Sequence, residues 1–235
     1  MKIGILGGTF NPVHYGHLRA AEEVRERLAL ERVLFVPAGT PPLKSDELAD
    51  ARHRLEMVSL AVAGNPFFEV SDVECKRPGT SYLVDTLGII SREHPDWELY
   101  FIIGSEAFAE LPKWREPERL LRMARFVVLG RPPLGFEAAL KGSPYIGDAR
   151  ALRALDRGEI ESAELSIEGA GSVILLALDA LPVSSTAIRS AVREGRSIRY
   201  LLPREVQLYI ITEKLYLPML REDQTTRREG KTDWR

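Results

Sequence analysis

The sequence predicts an α/β protein built on a doubly wound parallel sheet. Six short runs of apolar, β-branched residues recur along the chain, and most of them are continuous rather than alternating. Continuous apolar runs are typical of parallel strands that are buried on both faces. Segments with apolar residues at near-helical spacing lie between the runs, and strands that alternate with helices form βαβ units with right-handed crossovers.

The predicted elements follow one another in a regular order. The predicted strands are Lys2–Leu6, Arg32–Val36, Phe67–Val70, Leu99–Ile103, Phe126–Leu129 and Val173–Leu178. The helical spacing is carried by Leu18, Ala21, Val24 and Leu28, by Leu55, Val58 and Val62, and by Leu83, Leu87 and Ile90. Each of these three helices separates two predicted strands, as the βαβ pattern requires.

Three stretches depart from this alternation. Residues 37–50 form a loop rich in proline and glycine after the second strand. Residues 130–172 hold prolines, glycines and a polar helical segment around Ala149–Leu165, which indicates an insertion before the sixth strand. We therefore predict a single domain over residues 1–217 with an insertion at about 132–170. A polar tail follows over residues 218–235, and we expect it to be disordered.

Composition excludes two broad classes of protein. The chain has 235 residues, of which 45% are hydrophobic and 28% are charged, so it is too apolar for a disordered chain. Its formal net charge is -2, which argues against a dedicated DNA-binding protein because such a protein needs a net basic face. We therefore expect no nucleic acid among its partners, although a local basic pocket for a small anion is compatible with this charge.

Cysteine content and the first residues predict the compartment. Cys75 is the single cysteine, which excludes an intramolecular disulfide and a Cys-rich zinc site and suits a reducing compartment. The first apolar stretch is too short for a signal peptide, because Gly7 and Gly8 interrupt it. The sequence contains no run of about 18 apolar residues. We therefore expect a cytoplasmic protein without a membrane partner.

The stretch from Gly7 to His17 is the most informative part of the sequence. It follows a predicted buried strand and leads into a helix, and ligands of doubly wound sheets bind at the carboxyl ends of the strands. Gly7 and Gly8 allow a tight turn and a close approach of a ligand to the backbone. The positive end of the next helix dipole attracts anions. The stretch therefore predicts a phosphate site.

Two histidines stand three residues apart at the start of that helix. This spacing places His14 and His17 on one helix face, where imidazole N–H groups can donate to phosphoryl oxygens. A metal site is an alternative, although no third ligand is evident, and a structural or surface role is another. The loop matches neither the Gly-x-Gly-x-x-Gly dinucleotide fingerprint nor the P-loop pattern.

A second candidate anion site follows the last predicted strand. Val183 leads into Ser184, Ser185 and Thr186, which are residue types that cap helix N-termini, and Arg189 lies one turn further on. One cap needs one hydroxyl, so capping explains only part of this segment. Three hydroxyls, backbone N–H groups and a guanidinium suit a pyrophosphate or a triphosphate. Two such helix starts indicate chemistry at phosphorus, which depends on positioning and charge neutralisation.

These two segments resemble the signatures of a known superfamily. GGTFNPVHYGH is similar to the first motif of the nucleotidylyltransferases, (His/Thr)-x-Gly-His, and SSTAIR is similar to their second, Ser-Ser/Thr-Thr-x-x-Arg. Within that superfamily, five segments resemble the bacterial nicotinate-nucleotide adenylyltransferases: VPAGTPPLK, RPGTSYLVDTL, FIIGSEAFAELPKWREPERLL, VVLGRP and VSSTAIRSAVREGRSIRYLLPREVQLYI. The resemblance runs from residue 1 to about 217, apart from most of residues 132–170.

The resemblance implies a reaction and a set of site residues. The family transfers AMP from ATP to nicotinate mononucleotide, giving deamido-NAD and pyrophosphate, and requires Mg2+. We expect the ATP phosphates to carry the Mg2+, with few protein ligands. The implied catalytic residues are His14, His17 and Arg189. The implied ATP-binding residues are Gly8, Thr9, Phe10, His14, His17, Gly104, Glu106, Val183, Ser184, Ser185, Thr186 and Arg189. The implied acceptor-binding residues are Gly39, Lys44, Ser81, Tyr82, Trp114 and Arg131.

Three positions depart from the family pattern. Leu43 stands where the loop after the second strand usually has histidine, and Leu83 stands where threonine is common. Glu106 replaces the usual aspartate, which moves the carboxylate one methylene further out. None of these changes touches the two phosphate signatures, so they bear on acceptor selectivity rather than on the type of reaction.

Other functions stay open at this point. Another small-acceptor adenylyltransferase, such as the pantetheine-phosphate enzyme, would share both signatures, although the segments around Tyr82 and Trp114 favour nicotinate. A non-catalytic nucleotide-binding module is a second alternative, against which the intact His14, His17 and Arg189 argue. A tRNA-binding or aminoacylating protein is a third, but the Lys-Met-Ser-Lys-Ser signature is absent. The sequence also leaves open whether the chain forms a homo-oligomer.

Overall fold

The computed structural model describes residues 1–42, 48–130, 135–179 and 181–218. Its strands are β1 (Lys2–Gly8), β2 (Arg32–Pro37), β3 (Phe68–Val70), β4 (Glu98–Gly104), β5 (Arg125–Gly130), β6 (Ser162–Ser166) and β7 (Ser172–Ala177). Its helices are α1 (Tyr15–Arg27), α2 (Ala51–Val62), α3 (Val73–Lys76), α4 (Leu83–Glu93), α5 (Ser105–Ala109), α6 (Pro117–Met123), α7 (Phe136–Leu140), α8 (Ala149–Asp156), α9 (Ser185–Arg193) and α10 (Arg204–Thr212). A 3-10 helix covers Leu111–Lys113.

The strands form a seven-stranded sheet in the order β3-β2-β1-β4-β5-β7-β6. The first six in this order run parallel to their neighbours, and β6 runs antiparallel to β7. From β1 the chain moves outward to β3 and then returns to β4 on the other side of β1. The switch point therefore lies between β1 and β4, and the predicted doubly wound α/β fold is confirmed.

The strand β6 is absent from the sequence prediction, which placed a polar helical segment over Ala149–Leu165. The helix in this segment, α8, ends at Asp156, and Gly158 follows with a φ of 68°. The next residues form the strand Ser162–Ser166, whose side chains alternate between exposed and half-buried. A half-exposed strand that pairs through one edge carries polar residues, so it lacks the continuous apolar signal of the buried strands. The predicted helix is therefore wrong beyond Asp156.

The hydrophobic core covers both faces of the sheet. Along β4, Leu99, Phe101 and Ile103 pack on one face with α4, α5 and the helices of the insertion. Tyr100 and Ile102 pack on the other face with α1, α2, α9 and α10. Because successive side chains of a strand point to opposite faces, burial on both sides explains the continuous apolar runs in the sequence.

The described part of the insertion is part of the same core. Its helices bury Phe136, Leu140, Leu152 and Leu155 against the face that also holds α5. Phe136 fills the space over Gly130 so closely that a Cβ at Gly130 would lie 2.5 Å from the phenyl ring. The described insertion therefore contributes apolar packing to the sheet.

Some sequence predictions concern residues outside the described ranges. Of the tail predicted over residues 218–235, the structure describes only Pro218, which is exposed. The division into a domain of residues 1–217 and a tail stays a prediction. Within the described ranges, no helix is both long and apolar enough to cross a membrane.

Candidate active site

The carboxyl ends of the central parallel strands meet at one edge of the sheet. This edge carries Gly8 at the end of β1, Gly39 just after β2, and Gly104 at the end of β4. The helices α1 and α9 also begin here, because Ser185 at the start of α9 contacts the β1–α1 loop. The structure therefore brings segments from four parts of the chain to the edge where ligands of doubly wound sheets bind.

The β1–α1 loop, residues 9–14, is strained at Phe10 and buried from Phe10 to His14. Phe10 adopts a φ of 48°, a left-handed conformation that costs a non-glycine residue about 1–3 kcal/mol. Its side chain is buried and meets the ring of His17 edge-on, with centroids 5.1 Å apart. A Cβ at Gly8 would lie 3.3 Å from the Phe10 ring. The contacts around Phe10 therefore hold this loop in one conformation.

The two histidines are stacked at the start of α1. The ring centroids of His14 and His17 lie 3.8 Å apart with an interplanar angle of 29°, and His14 is buried whereas His17 is half-buried. The backbone N–H of His14 donates to Nδ1 of His17 at 3.3 Å. A ring nitrogen that accepts this bond carries no proton, so the neutral His17 ring carries its proton on Nε2. That N–H is the donor that a phosphoryl oxygen requires.

Gly16 lies in close contact with the stacked histidines. A Cβ at this position would lie 3.0 Å from Cε1 and Nδ1 of His14 and 3.4 Å from the carbonyl oxygen of Val183. A side chain here would require the imidazole of His14 to move by a few tenths of an ångström. The space at Gly16 is therefore matched to the position of the His14 ring.

The second signature is hydrogen-bonded to the first. The Oγ of Ser185 donates to the carbonyl oxygen of Pro12 at 2.8 Å, and Nη1 of Arg189 donates to the carbonyl oxygen of Asn11 at 2.9 Å. Ser184 caps α9 by accepting from the N–H of Ala187 at 3.2 Å. The bonds of Ser185 and Arg189 join segments that are more than 170 residues apart in the sequence.

This arrangement refines the sequence prediction for the three hydroxyls. Ser184 serves as the helix cap and Ser185 fixes the β1–α1 loop, whereas Thr186 is exposed at the start of α9. Two of the three hydroxyls predicted to bind phosphate therefore make hydrogen bonds within the protein. Val183 is half-buried, and its carbonyl oxygen faces the position of Gly16.

Arg54 is a residue of the site that the sequence analysis missed. It lies on α2, is 0% exposed, and its burial lowers the pKa of the guanidinium group. Its nitrogens donate to the carbonyl oxygens of Thr9 at 2.9 Å and Gly39 at 2.8 Å, which belong to the loops after β1 and β2. Its position in the sequence could have indicated its burial. Arg54 is spaced at a helical interval from the buried Met57 and Val58, and residues on such a buried helix face are usually apolar.

The predicted acceptor side begins at Gly39 and Ser81. The Oγ of Ser81 accepts from the N–H groups of Gly39 at 3.0 Å and Thr40 at 3.3 Å, and the Ser81 side chain is buried. A Cβ at Gly39 would lie 2.1 Å from the carbonyl oxygen of Glu74. Both residues therefore fix the loop after β2, and a direct contact with the acceptor stays a prediction.

Tyr82 and the segment around Trp114 lie beside each other. Tyr82 precedes α4 and is 37% exposed. The guanidinium carbon of Arg115 lies 5.0 Å from the centroid of the Tyr82 ring, and Nη1 of Arg115 lies 3.6 Å from a carboxylate oxygen of Asp85. Trp114 is half-buried against the core. The structure therefore brings the two predicted acceptor aromatics to one region, where Arg115 lies beside Tyr82. Their contact with the acceptor stays a prediction.

The remaining predicted residues divide into two groups. Gly104 precedes the first turn of α5, and Glu106 is exposed within that turn. The residues Leu43, Lys44 and Arg131 lie outside the described ranges. In the described part of the chain, no group of three or more His, Cys, Asp or Glu side chains could hold a metal ion.

Comparisons with known proteins agree with this geometry. Residues 5–191 match the model of the cytidylyltransferase-like family. A protein of Geotalea daltonii, named a probable nicotinate-nucleotide adenylyltransferase, is 45% identical over 219 residues, which cover 92% of this chain and 98% of that protein. A protein of Moorella thermoacetica with the same name is 42% identical over 221 residues, which cover 93% of each chain.

A solved structure shares the fold at lower identity. The Plasmodium falciparum nicotinic acid mononucleotide adenylyltransferase complexed with NaAD superposes with a TM-score of 0.67 and 19% identity, covering 92% of this chain and 97% of that chain. At this identity the likeness establishes the fold, and the bacterial relatives establish the family. The chain belongs to the cytidylyltransferase-like family and, within it, to the nicotinate-nucleotide adenylyltransferases.

Proposed function

We propose that this chain transfers AMP from ATP to nicotinate mononucleotide and releases deamido-NAD and pyrophosphate. The observation that carries the proposal is the junction of the two phosphate signatures, in which Ser185 and Arg189 of α9 bind the carbonyls of Pro12 and Asn11. The junction places two helix N-termini at the carboxyl ends of the strands, where a polyphosphate can bind both. The names of the bacterial relatives support nicotinate mononucleotide as the acceptor.

We propose a direct in-line displacement. A phosphate oxygen of nicotinate mononucleotide attacks the α-phosphorus of ATP and forms the new P–O bond. The bond from the α-phosphorus to the bridging oxygen of the β-phosphate breaks, and pyrophosphate leaves with that electron pair. The attacking phosphate is already an anion near neutral pH, so no general base is required. The barrier comes from bringing two anions together, which electrostatic stabilisation lowers.

The described residues supply donors for this stabilisation. In the proposed complex, Nε2–H of His17 donates to the α-phosphate, and His14 orients His17 through the backbone bond to its Nδ1. Arg189 holds one guanidinium nitrogen on the Asn11 carbonyl and directs its charge toward the β- and γ-phosphates. Trp114 and Tyr82 bind the pyridine ring of the acceptor.

We propose that Mg2+ binds together with ATP. The donors described at this edge are imidazole, hydroxyl and guanidinium groups, which suit phosphate oxygens, whereas Mg2+ prefers oxygen ligands. When bound to the phosphates, Mg2+ neutralises negative charge on them.

We propose that the enzyme is cytoplasmic, because its single cysteine, Cys75, suits a reducing compartment.

Pyrophosphate release tests the proposed function. Purified full-length protein is mixed with ATP and Mg2+ and with nicotinate mononucleotide, nicotinamide mononucleotide or phosphopantetheine in turn. We expect the fastest release with nicotinate mononucleotide and none without an acceptor. Release only with phosphopantetheine would identify the other adenylyltransferase. Binding of ATP without release in any mixture would identify a non-catalytic module.

A further inference from the structure

Arg54 joins three separate segments of the backbone through one guanidinium group. Its Nε donates to the carbonyl oxygen of Ala49 at 2.9 Å, Nη1 to that of Thr9 at 2.9 Å, and Nη2 to that of Gly39 at 2.8 Å. Thr9 belongs to the loop after β1, on the predicted ATP side, and Gly39 to the loop after β2, on the predicted acceptor side. One buried side chain therefore sets the separation of the two loops.

The bond to Thr9 also sets the direction of a backbone donor. The carbonyl of Thr9 and the N–H of Phe10 belong to one planar peptide group, in which the two bonds point in opposite directions. Because the Thr9 oxygen points toward the buried Arg54, the Phe10 N–H points away from it. The left-handed φ of Phe10 persists only when its surroundings hold it in place, and Arg54 is one of the groups that do so.

The second loop is held from two sides. The peptide group between Gly39 and Thr40 places its oxygen on Arg54, whereas its N–H donates to Oγ of Ser81 at 3.3 Å. This peptide plane can therefore not rotate without breaking two bonds. The loop that leads toward the acceptor is fixed relative to the loop that leads toward ATP.

A guanidinium group is suited to this role, and its burial is expensive. Its planar fork offers donors in several fixed directions, whereas a lysine ammonium is a compact charge that cannot reproduce the fork. Desolvation of a buried charge costs free energy that apolar packing would not cost. A chain that needed only stability at this point of α2 would gain it from a residue such as leucine or methionine.

We propose that Arg54 is a positioning residue of the adenylyl transfer, which aligns the two loops and directs the Phe10 N–H toward the reacting phosphate. The inference rests on the proposed function. Arg54 acts through the backbone of Thr9, Phe10 and Gly39 and does not itself contact substrate. Its contribution therefore belongs to the alignment of bound substrates rather than to their affinity.

Substitution of Arg54 tests this role. We expect R54K to lower kcat by roughly 10- to 100-fold, since small displacements of reacting groups have effects of this size. We expect the KM for ATP and the KM for nicotinate mononucleotide to change by less than about threefold. The matched control is R52K, because Arg52 lies on the same helix and is exposed, and it should keep the kcat of the unchanged protein.

All rates are measured well below the melting temperature of each variant, which a thermal scan gives. A merely structural Arg54 would lower the melting temperature and leave kcat of the folded protein intact. A kcat of folded R54K within about twofold of the unchanged protein would therefore overturn the proposal. If the unchanged protein itself releases no pyrophosphate with nicotinate mononucleotide, the proposed function fails instead.

A measurement on the unchanged protein covers the case in which R54K does not fold. The amide resonance of Phe10 is followed by 1H–15N NMR while ATP and Mg2+ are added. We expect a downfield proton shift, because the N–H donates to a phosphate. An unshifted Phe10 amide at saturating ATP contradicts the proposal, whatever R54K does.

Discussion

The β1–α1 loop and the insertion between β5 and β7 both leave the sheet at the same edge, yet they are attached to the rest of the molecule in different ways. Three carbonyls of the loop accept hydrogen bonds from Arg54, Ser185 and Arg189. The described part of the insertion forms two helices and a strand, and it buries leucines such as Leu152 and Leu155 in the core. Apolar contacts pack both regions, since Phe10 of the loop is also buried, but the loop is in addition tied to two other helices by these directional bonds.

The two kinds of contact contribute differently to the alignment of the site and to the stability of the fold. A hydrogen bond contributes a net of about 0.5–1.5 kcal/mol but specifies a direction. Burial of a leucine side chain contributes about 1.5–3 kcal/mol and specifies no direction. We therefore expect changes in the loop and in the first turn of α1, which follows it, to alter turnover more than stability. Changes in the insertion should alter stability more than turnover.

The largest effect on turnover is expected for H17A. Loss of one preorganised donor should lower kcat by roughly 100- to 1,000-fold, by analogy with donors of oxyanion holes. The variant also loses the Nδ1 acceptor of the His14 N–H, so its melting temperature should fall slightly. Steady-state pyrophosphate release measures kcat.

The control for this variant is H94A, because His94 stacks on Trp97 away from the site. H94A should keep its turnover. Near-normal turnover of H17A would show that His17 does not act on the phosphate.

A smaller loss of turnover is expected for G16A. The added Cβ would lie 3.0 Å from the His14 ring, so the histidine pair must shift, and kcat should fall by roughly 10- to 100-fold. Turnover and thermal unfolding are compared with those of G88A. Gly88 also lies in a helix, but there a Cβ would meet only Met123 Cε, at 3.8 Å. Equal turnover in both variants would show that the spacing of the histidine pair is not critical.

The insertion should respond in the opposite way. L152A removes a side chain that is 4% exposed, and we expect the free energy of unfolding to fall by about 2–5 kcal/mol. The kcat of the folded variant should stay within about twofold of the unchanged protein. Denaturant unfolding and pyrophosphate release measure the two quantities. A tenfold fall in kcat of folded L152A would show that the insertion also shapes the site.

The smallest effect is expected for D148A. The carboxylate of Asp148 caps α8 by accepting from the N–H groups of Arg150 at 2.9 Å and Ala151 at 3.2 Å. Its loss should lower the free energy of unfolding by about 1 kcal/mol and leave kcat unchanged. The same denaturant experiment resolves this difference. An unfolding free energy equal to that of the unchanged protein would show that α8 does not depend on its cap.

Strong local patterns explain which parts of the fold could be predicted. Five of the six parallel strands carry continuous apolar runs because both faces of the sheet are covered, whereas the short edge strand β3 contains Glu69. The strand β6 has one pairing edge and half-exposed side chains, so its sequence resembles a polar helix or loop. An exposed edge places few demands on residue type, and its signal is correspondingly weak.

The candidate site likewise contains residues that local sequence patterns indicate and residues that they do not. Glycines before a helix, a histidine pair and a run of capping hydroxyls are local signals, and they predict an anion site at each of the two signature segments. The roles of Arg54, Ser81 and Arg115 depend on partners elsewhere in the chain. Helical spacing from Met57 and Val58 indicates that Arg54 is buried, unlike Arg52 on the same helix. No local pattern shows which two loops its guanidinium group binds.

Residue order alone was therefore sufficient for the α/β class, the two phosphate signatures and, through resemblance, the reaction. The folded chain was needed to show that Ser185 and Arg189 bind the carbonyls of the β1–α1 loop, across up to 178 residues. It was also needed to show that Arg54 ties that loop to Gly39. The physical reason is that helix and strand signals arise from neighbours within a few residues, whereas a hydrogen bond between distant segments exists only after the sheet has brought them together.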